Sequence, residues 1–474
     1  MKVAHTKAVS VVYVAVIFLS TMDTTIVNVA LPSIGAAYGV PSTSVNSITI
    51  AFLVSLAICI PASGWLGDRF GNKQVLLAAV VIFTGASIMC GFAGSVGELV
   101  TYRTIQGAGG GMLTPVGMAM VLRTFAPEER VRALSVITIA TAIAPTMGPT
   151  LGGLIVTNLS WRWVFFVNVP VGVFACVFGL LFVRDTGERI KGKFDAWGFV
   201  LSAGGLGLSM YALSQGPHLG WLSAPVLASG AIGVTLLVAM VLSALRRDDP
   251  LIEARLFADN FFRPSTIGIT SVSVVFIGSV FVTSLMLQDG RHASALTTGL
   301  MLLPQSLGVL IGSQLSSRIL YRRFGPKFVM PLGLLGTSVS VAALGYVCFA
   351  GSLGAIAVCI FCTGVFVGVV FLSTQVAAFT SISSASNGKA STIFNVGRRL
   401  GGAVGIAIAS TTMVLVVGDG VSVGEIANGY RMAFFVLAAF NVVAFLPTLR
   451  LPSVTKGAKS ASGARPGAMS IRNS

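Results

Sequence analysis

The stretch VSVVYVAVIFLSTMDTTIVNVALPSIGAAYGV (residues 9–40) is long, largely apolar and uncharged except for one carboxyl, Asp23. About 20 apolar residues suffice to cross a bilayer as a helix, so this stretch reads as a membrane span. It is too long, and too soon followed by others, for a cleaved leader. Of the fifteen acidic residues, Asp23 is the only one deep inside such a segment. A carboxyl there costs roughly 2.5–3.5 kcal/mol to insert and is rarely left without a task. In such surroundings a carboxyl can take up and release a proton near neutral pH, which makes Asp23 the candidate proton carrier.

The same pattern recurs from end to end. Hydrophobic residues are 54% of the 474, charged residues 10%, and mean hydropathy is +0.90, where a soluble domain carries about 25% charge. Fourteen spans can be read, at about 8–36, 44–64, 74–93, 99–122, 131–157, 162–183, 196–215, 221–245, 264–288, 294–317, 327–349, 352–379, 386–417 and 428–449. The net charge of +16 does not point to nucleic acid, because 25 of the 31 Lys and Arg fall in alternate loops and the two tails. That asymmetry is the positive-inside signal, and an even count then puts both termini in the cytoplasm. The Ser/Gly/Ala/Lys-rich tail after Pro452 is expected to be disordered.

A repeat divides the chain. Arg69-Phe70-Gly71-Asn72-Lys73 follows the second span, and Arg323-Phe324-Gly325-Pro326-Lys327 follows the tenth. With the seventh and eighth spans as an inserted pair, the tenth becomes the second span of a second half. The expected fold is an all-α membrane protein of two six-helix bundles (residues 1–190 and 261–450), an inserted helix pair (191–260) and a cytoplasmic tail (451–474). Six plus two plus six is a transporter architecture, with substrate bound between the halves near the midplane.

Small residues recur every four positions on four spans: Ala51, Ser55, Cys59, Ser63 and Gly67; Ala140, Ala144, Gly148 and Gly152; Gly308, Gly312 and Ser316; Gly397, Gly401, Gly405 and Ala409. Such strips let backbones approach closely in lipid. They are expected either to form the seam between the halves, second span on thirteenth and fifth on tenth, or to pack within each half. Pro145 and Pro149 interrupt the fifth span beside its strip and would bend it.

The polar residues inside spans are the candidate site. Arg103, in RTIQGAGGG (103–111), either holds a buried charge network with Asp23 or snorkels to the outer interface. Arg398 and Arg399 are a second intramembrane cationic feature. Asp68, in GWLGDRFGNK (64–73), either caps the start of the thirteenth span near Ser386–Lys389 as a latch or stays solvated. Asn28, Gln106, Gln305, Gln375, Asn395 and Arg399 are candidate cavity liners, with helix-to-helix hydrogen bonding the alternative. The six Cys lie in apolar segments and read as packing residues, Cys359-x-x-Cys362 having no second ligand pair. No His, Asp and Glu cluster suggests an enzyme, a metal or a cofactor.

Several stretches together resemble a known family. TMDTTIVNVALP (21–32), GWLGDRFGNK, RTIQGAGGG, APTMGPTLGG (144–153), SWRWVFFVNVPVG (160–172) and RRLGGAVGIAI (398–408) are similar, in order and spacing, to the motifs of the fourteen-helix drug:proton antiporter branch of the major facilitator superfamily. The match spans about residues 8–450. The chain departs at Met22, where Leu is usual, at Gly67 and Asn72, and at Ser135 and Ala144, where Gly is usual. The resemblance implies proton-driven export of small, largely hydrophobic compounds from the inner membrane by a monomer, driven by the proton gradient and without a cofactor. It gives proton coupling to Asp23 and Arg103, gating to Asp68 with Arg69, Gly64 and Gly71, and the antiport mode to Pro145, Gly148, Pro149, Gly152 and Gly153. The tenth span lacks the further acid that dication exporters carry, which speaks against a dicationic substrate. A proton-coupled uptake symporter, or an exporter of one endogenous metabolite, are the alternatives on the same fold.

Overall fold

A computed structural model describes residues 2–40, 42–185, 193–247, 249–349, 351–383, 386–417 and 423–452. The tail expected to be disordered lies outside them. In chain order the helices are α1 (Lys2–Tyr38), α2 (Ser42–Phe70), α3 (Asn72–Phe92), α4 (Val96–Thr124), α5 (Pro127–Asn158), α6 (Trp163–Phe166), α7 (Asn168–Phe182), α8 (Ala196–Leu219), α9 (Ala224–Arg246), α10 (Phe262–Leu285), α11 (Ala295–Leu315), α12 (Tyr321–Phe324), α13 (Pro326–Val347), α14 (Leu353–Ala378), α15 (Asn387–Val417), α16 (Val423–Phe440) and α17 (Val442–Leu449). Helix is what an apolar surrounding demands, since each backbone polar group must find its partner within the segment. Starts are set by side chains: Ser95, Ser294 and Ser352 accept from the backbone N–H three residues on, at 3.2, 3.1 and 3.2 Å.

Twelve helices among the described residues are long and apolar enough to cross a membrane. The expected fourteen requires α5 and α11 as well, which at 32 and 21 residues have the length. Both contain side chains outside those described, and the two pack against each other.

The repeat folds alike in both copies. Gly71, at the break between α2 and α3, has φ +97°, and Gly325, between α12 and α13, has φ +70°. Only glycine takes that backbone without strain, so each copy ends one helix and starts the next in the opposite direction.

Packing repeats as well. The most extensive pairs are α2 on α4 and α1 on α5 early in the chain, and α11 on α14 and α10 on α15 later. The small-residue strips lie in these contacts. Gly107 and Gly111 of α4 face the backbone of Phe52 and Leu56 in α2, and Gly148 and Gly152 of α5 face Thr25 and Ile26 in α1. Gly308 and Gly312 of α11 face Phe361 and Val365 in α14, and Gly401 and Gly405 of α15 face Thr270 and Val274 in α10. The strips therefore pack mainly within each half, which corrects the expectation that they form the seam, with Ser63 near the end of the α2 strip the exception, lying against Thr392 of α15. The expected helix pairs do meet, α2 with α15 and α5 with α11.

The inserted pair lies beside this meeting. α8 packs on α9 and also touches both α2 and α15. Ala57 of α2, Leu206 and Met210 of α8, and Val396 and Leu400 of α15 form one apolar cluster. Trp221 donates to Thr411 on α15 at 2.7 Å.

Candidate functional site

Asp23 is fully enclosed, and the residues that enclose it come from four helices. Arg103 Nη1 on α4 lies 2.6 Å from Asp23 Oδ2. Gln106 Nε2, one turn further on α4, donates to Oδ1 at 3.0 Å, and Asn168 Nδ2 at the start of α7 donates to the same oxygen at 2.8 Å. Both amides also reach Ser87 Oγ on α3 at 3.1 Å, and Ser87 in turn donates to the Phe165 carbonyl at 3.0 Å. Arg103 gives a second bond to Gln106 Oε1 at 2.7 Å, and its guanidinium sits 4.0 Å from the Phe52 ring centroid. Its exposure is 1%, so Arg103 is the charge-network residue and does not snorkel. Arg103 Nε and Asn168 Oδ1 are buried with no hydrogen-bond partner among the described residues.

All three donors point at one carboxylate, which accepts as an ionised group does. A proton on Asp23 would add a donor where every neighbour already donates, so at least one neighbour would have to turn away. Gln106, expected to line a cavity, belongs to this enclosed network instead. The network's other members, Ser87, Asn168 and Phe52, were not among the sequence candidates. Asn168 was within reach of sequence reasoning, as the one amide in the motif SWRWVFFVNVPVG. Ser87 carries no such signal, since a serine in an apolar helix usually bonds its own backbone.

Asp23 faces into the first half rather than toward the second. α1 packs on α2, α4, α5 and α7, which leaves the face between α2 and α5, the two helices that meet the second half. Asn28, Pro32 and Ala36 are exposed along that face, and Asn28 accepts from Thr49 on α2 at 3.1 Å. At about 100° per residue, Asn28 and Asp23 point roughly 140° apart around the helix. Midway along α1, Ser20 receives a bond of 3.0 Å from Arg399 of α15, a contact from one half to the other. Arg398 forms no hydrogen bond or ion pair among the described residues. Gln305, Gln375 and Asn395 are buried within the second half, and Asn395 is turned back to the Ser391 carbonyl at 2.9 Å.

At the Asp68 end the halves are joined. Ser391 Oγ of α15 donates to the Pro115 carbonyl of α4 at 2.9 Å, and Ser63 and Thr392 hydroxyls lie 3.5 Å apart. Gly64 faces Thr392 and Gly388, where a side chain would not fit. Asp68 lies against Gly388 in the first turn of α15, close to the expected cap, and its ion-pair partner is Arg123 at the end of α4. Arg69, expected as its gating companion, is exposed, because the residue next to Asp68 on a helix points about 100° away. Lys389 pairs with Asp249 and Arg247 with Asp195, so the loop after α9 is tied to the same place. Asp68, Asp195, Asp249 and Lys389 line a cleft of about 270 Å³ with Trp65 and Glu253.

On α5, Gly148 and Gly152 allow the close contact with α1, and Gly153 is buried beside them. The side chains of Pro145 and Pro149 lie outside the described residues. Thr150 meets Gly299 of α11, so α5 touches α1 on one side and the second half on the other.

Comparison with known proteins agrees with this architecture. The family model described as Major Facilitator Superfamily matches residues 13–406. The chain is 33% identical over 330 residues to the Bacillus subtilis (strain 168) protein named "Uncharacterized MFS-type transporter YhcA", covering 70% of this chain and 62% of that one. It is 34% identical over 334 residues to the Pectobacterium atrosepticum protein named "Putative multidrug resistance protein MdtD", covering 69% and 71%. Among solved structures, the human organic anion transporter MFSD10 superposes with a TM-score of 0.68 at 16% identity, over 94% of this chain and 99% of that one. The proton:xylose symporter XylE superposes with 0.64 at 16% identity, over 96% and 97%. With that sequence match across most of its length and an all-helical fold to agree with it, the chain belongs to the Major Facilitator Superfamily of multi-pass membrane transporters.

Proposed function

We propose that the chain exports small, largely hydrophobic compounds across the bacterial inner membrane in exchange for protons, by alternating access of its two halves. The basic Asp68 end is the cytoplasmic one, and the arrangement described, joined at that end, is the outward-facing state. Asp23 carries the coupling proton, Arg103 answers it, and the chain works as a monomer without a cofactor. The observation that supports this reading is the position of Asp23 on α1. It sits in a sealed polar network on one side of a helix whose other side borders the space between the halves. A proton on Asp23 cancels half of a buried ion pair and displaces at least one of its three donors. α1 carries that change to its cavity face and, through the Gly148 and Gly152 contacts, to α5 and the second half. The multidrug names of the relatives support the substrate class.

Inverted vesicles with an imposed pH gradient test the reading, with uptake of fluorescent hydrophobic compounds as the measure. Wild type should concentrate substrate inside inverted vesicles as protons leave, and Asp23→Asn should insert but lose the coupling. Flux in the opposite direction would make the chain a symporter, and coupling retained in Asp23→Asn would remove Asp23 from the mechanism.

A further inference from the structure

Charge inside the membrane does not balance. Asp23 is matched by Arg103 within a closed network. Arg398 and Arg399 are two more cations, adjacent on α15, and neither forms an ion pair among the described residues. Arg399 gives one bond, to the neutral hydroxyl of Ser20 at 3.0 Å. Tyr13 of α1 is spoken for, its hydroxyl donating to the Thr114 carbonyl at 2.9 Å. Both arginines are half-buried, and Arg399 lies on the side of α15 that faces α1 across the meeting of the halves.

An intramembrane cation is retained at a cost that a counter-charge repays. Here the described residues supply none, while the adjoining face of α1 is polar or exposed at Ser20, Thr24 and Asn28. We propose that the counter-charge is the substrate: Arg399, with Arg398 beside it, binds the carboxylate or other anionic group of an organic acid between α1 and α15. A guanidinium presents paired N–H donors that match a carboxylate edge to edge, and its charge cannot be lost by deprotonation. The Ser20 hydroxyl holds Arg399 when the site is empty and yields it when the acid arrives. The inference rests on the proposed exporter reading for the direction of transport, though not for binding.

Equilibrium binding to the purified full chain in detergent, with no gradient present, tests the site alone. The probes are fluorescein, an aromatic carboxylate, and the methyl ester of tetramethylrhodamine, a cation on the same ring system, each followed by fluorescence anisotropy. Fluorescein should bind at least about tenfold more tightly than the rhodamine ester. Arg399→Gln should remove that preference, Arg399→Lys should keep it, and Ser20→Ala should leave fluorescein binding equal or stronger. If Arg399 were only a tether between helices, Ser20→Ala would weaken binding as Arg399→Gln does, and that result overturns the proposal. Equal binding of the two dyes by wild type, or no binding of fluorescein, also overturns it. Helical circular dichroism and a monodisperse elution profile show that each variant is folded. Fluorescein binding without proton-driven flux in vesicles would leave the anion site standing and remove the exporter reading.

Discussion

Arg103 and Asp23, eighty positions apart in the chain, meet at 2.6 Å with both side chains closed to solvent. Breaking a buried pair by removing one partner leaves the other charged and unpaired, which costs about 3–5 kcal/mol. Arg103→Met should therefore lower the detergent-solubilised melting temperature markedly, and Asp23→Asn less so, because asparagine can still accept from Gln106 and Asn168. The double variant Asp23→Asn/Arg103→Met should be more stable than Arg103→Met alone. Thermal melts of the four proteins decide it, and additive losses would mean the pair is not coupled.

The amide donors tune that pair without carrying charge. Asn168→Ala removes one bond to Asp23 and one to Ser87, a loss of about 1–3 kcal/mol for a buried group left unsatisfied. Losing a donor to the carboxylate disfavours its ionised form. The pH profile of transport should shift upward in Asn168→Ala, with Ser87→Ala moving it less. An unchanged profile across both variants would show that the network does not set the proton step.

The joined end predicts a cross-link. Ser63 and Thr392 point their hydroxyls at each other, 3.5 Å apart, on α2 and α15, so thiols in their place need only a small shift to bond. Ser63→Cys/Thr392→Cys should cross-link readily under mild oxidation and abolish transport, with reduction restoring it. Adding Asp68→Asn should slow the cross-link, since Asp68 binds Arg123 beside the same turn of α15. A cross-link that forms while transport continues would refute opening at this end.

The glycine contacts predict a graded loss. A side chain on Gly148 would collide with Thr25 and the backbone of Ile26, and one on Gly405 with the backbone of Val274. Gly148→Val and Gly405→Val should each cost at least about 1–3 kcal/mol through forced separation of helices. Gly148→Ala should cost less and slow transport. Equal stability of all three with wild type would show that the contacts give way freely.

Much of the fold was legible in the residues. Lipid imposes long apolar helices, so the spans at Val9–Val40 and beyond could be counted. The repeated glycines at 71 and 325 marked equivalent turns because only glycine tolerates that backbone. The small-residue strips were visible too, but periodicity names a face and not its neighbour. Which helix fills the face depends on packing of all the others, so the strips were found within the halves.

By itself the sequence determined the membrane class, the family, and the presence of one costly acid and several costly cations, because each follows from local composition and spacing. Tertiary structure decided the partners: Arg103, Gln106 and Asn168 around Asp23, Arg123 rather than Arg69 beside Asp68, and no acid beside Arg398 and Arg399. The physical reason is range. A helix propensity or a transfer cost is set by a residue and its near neighbours, whereas an ion pair in hydrocarbon requires two side chains brought within a few ångströms by the packing of helices far apart in the chain.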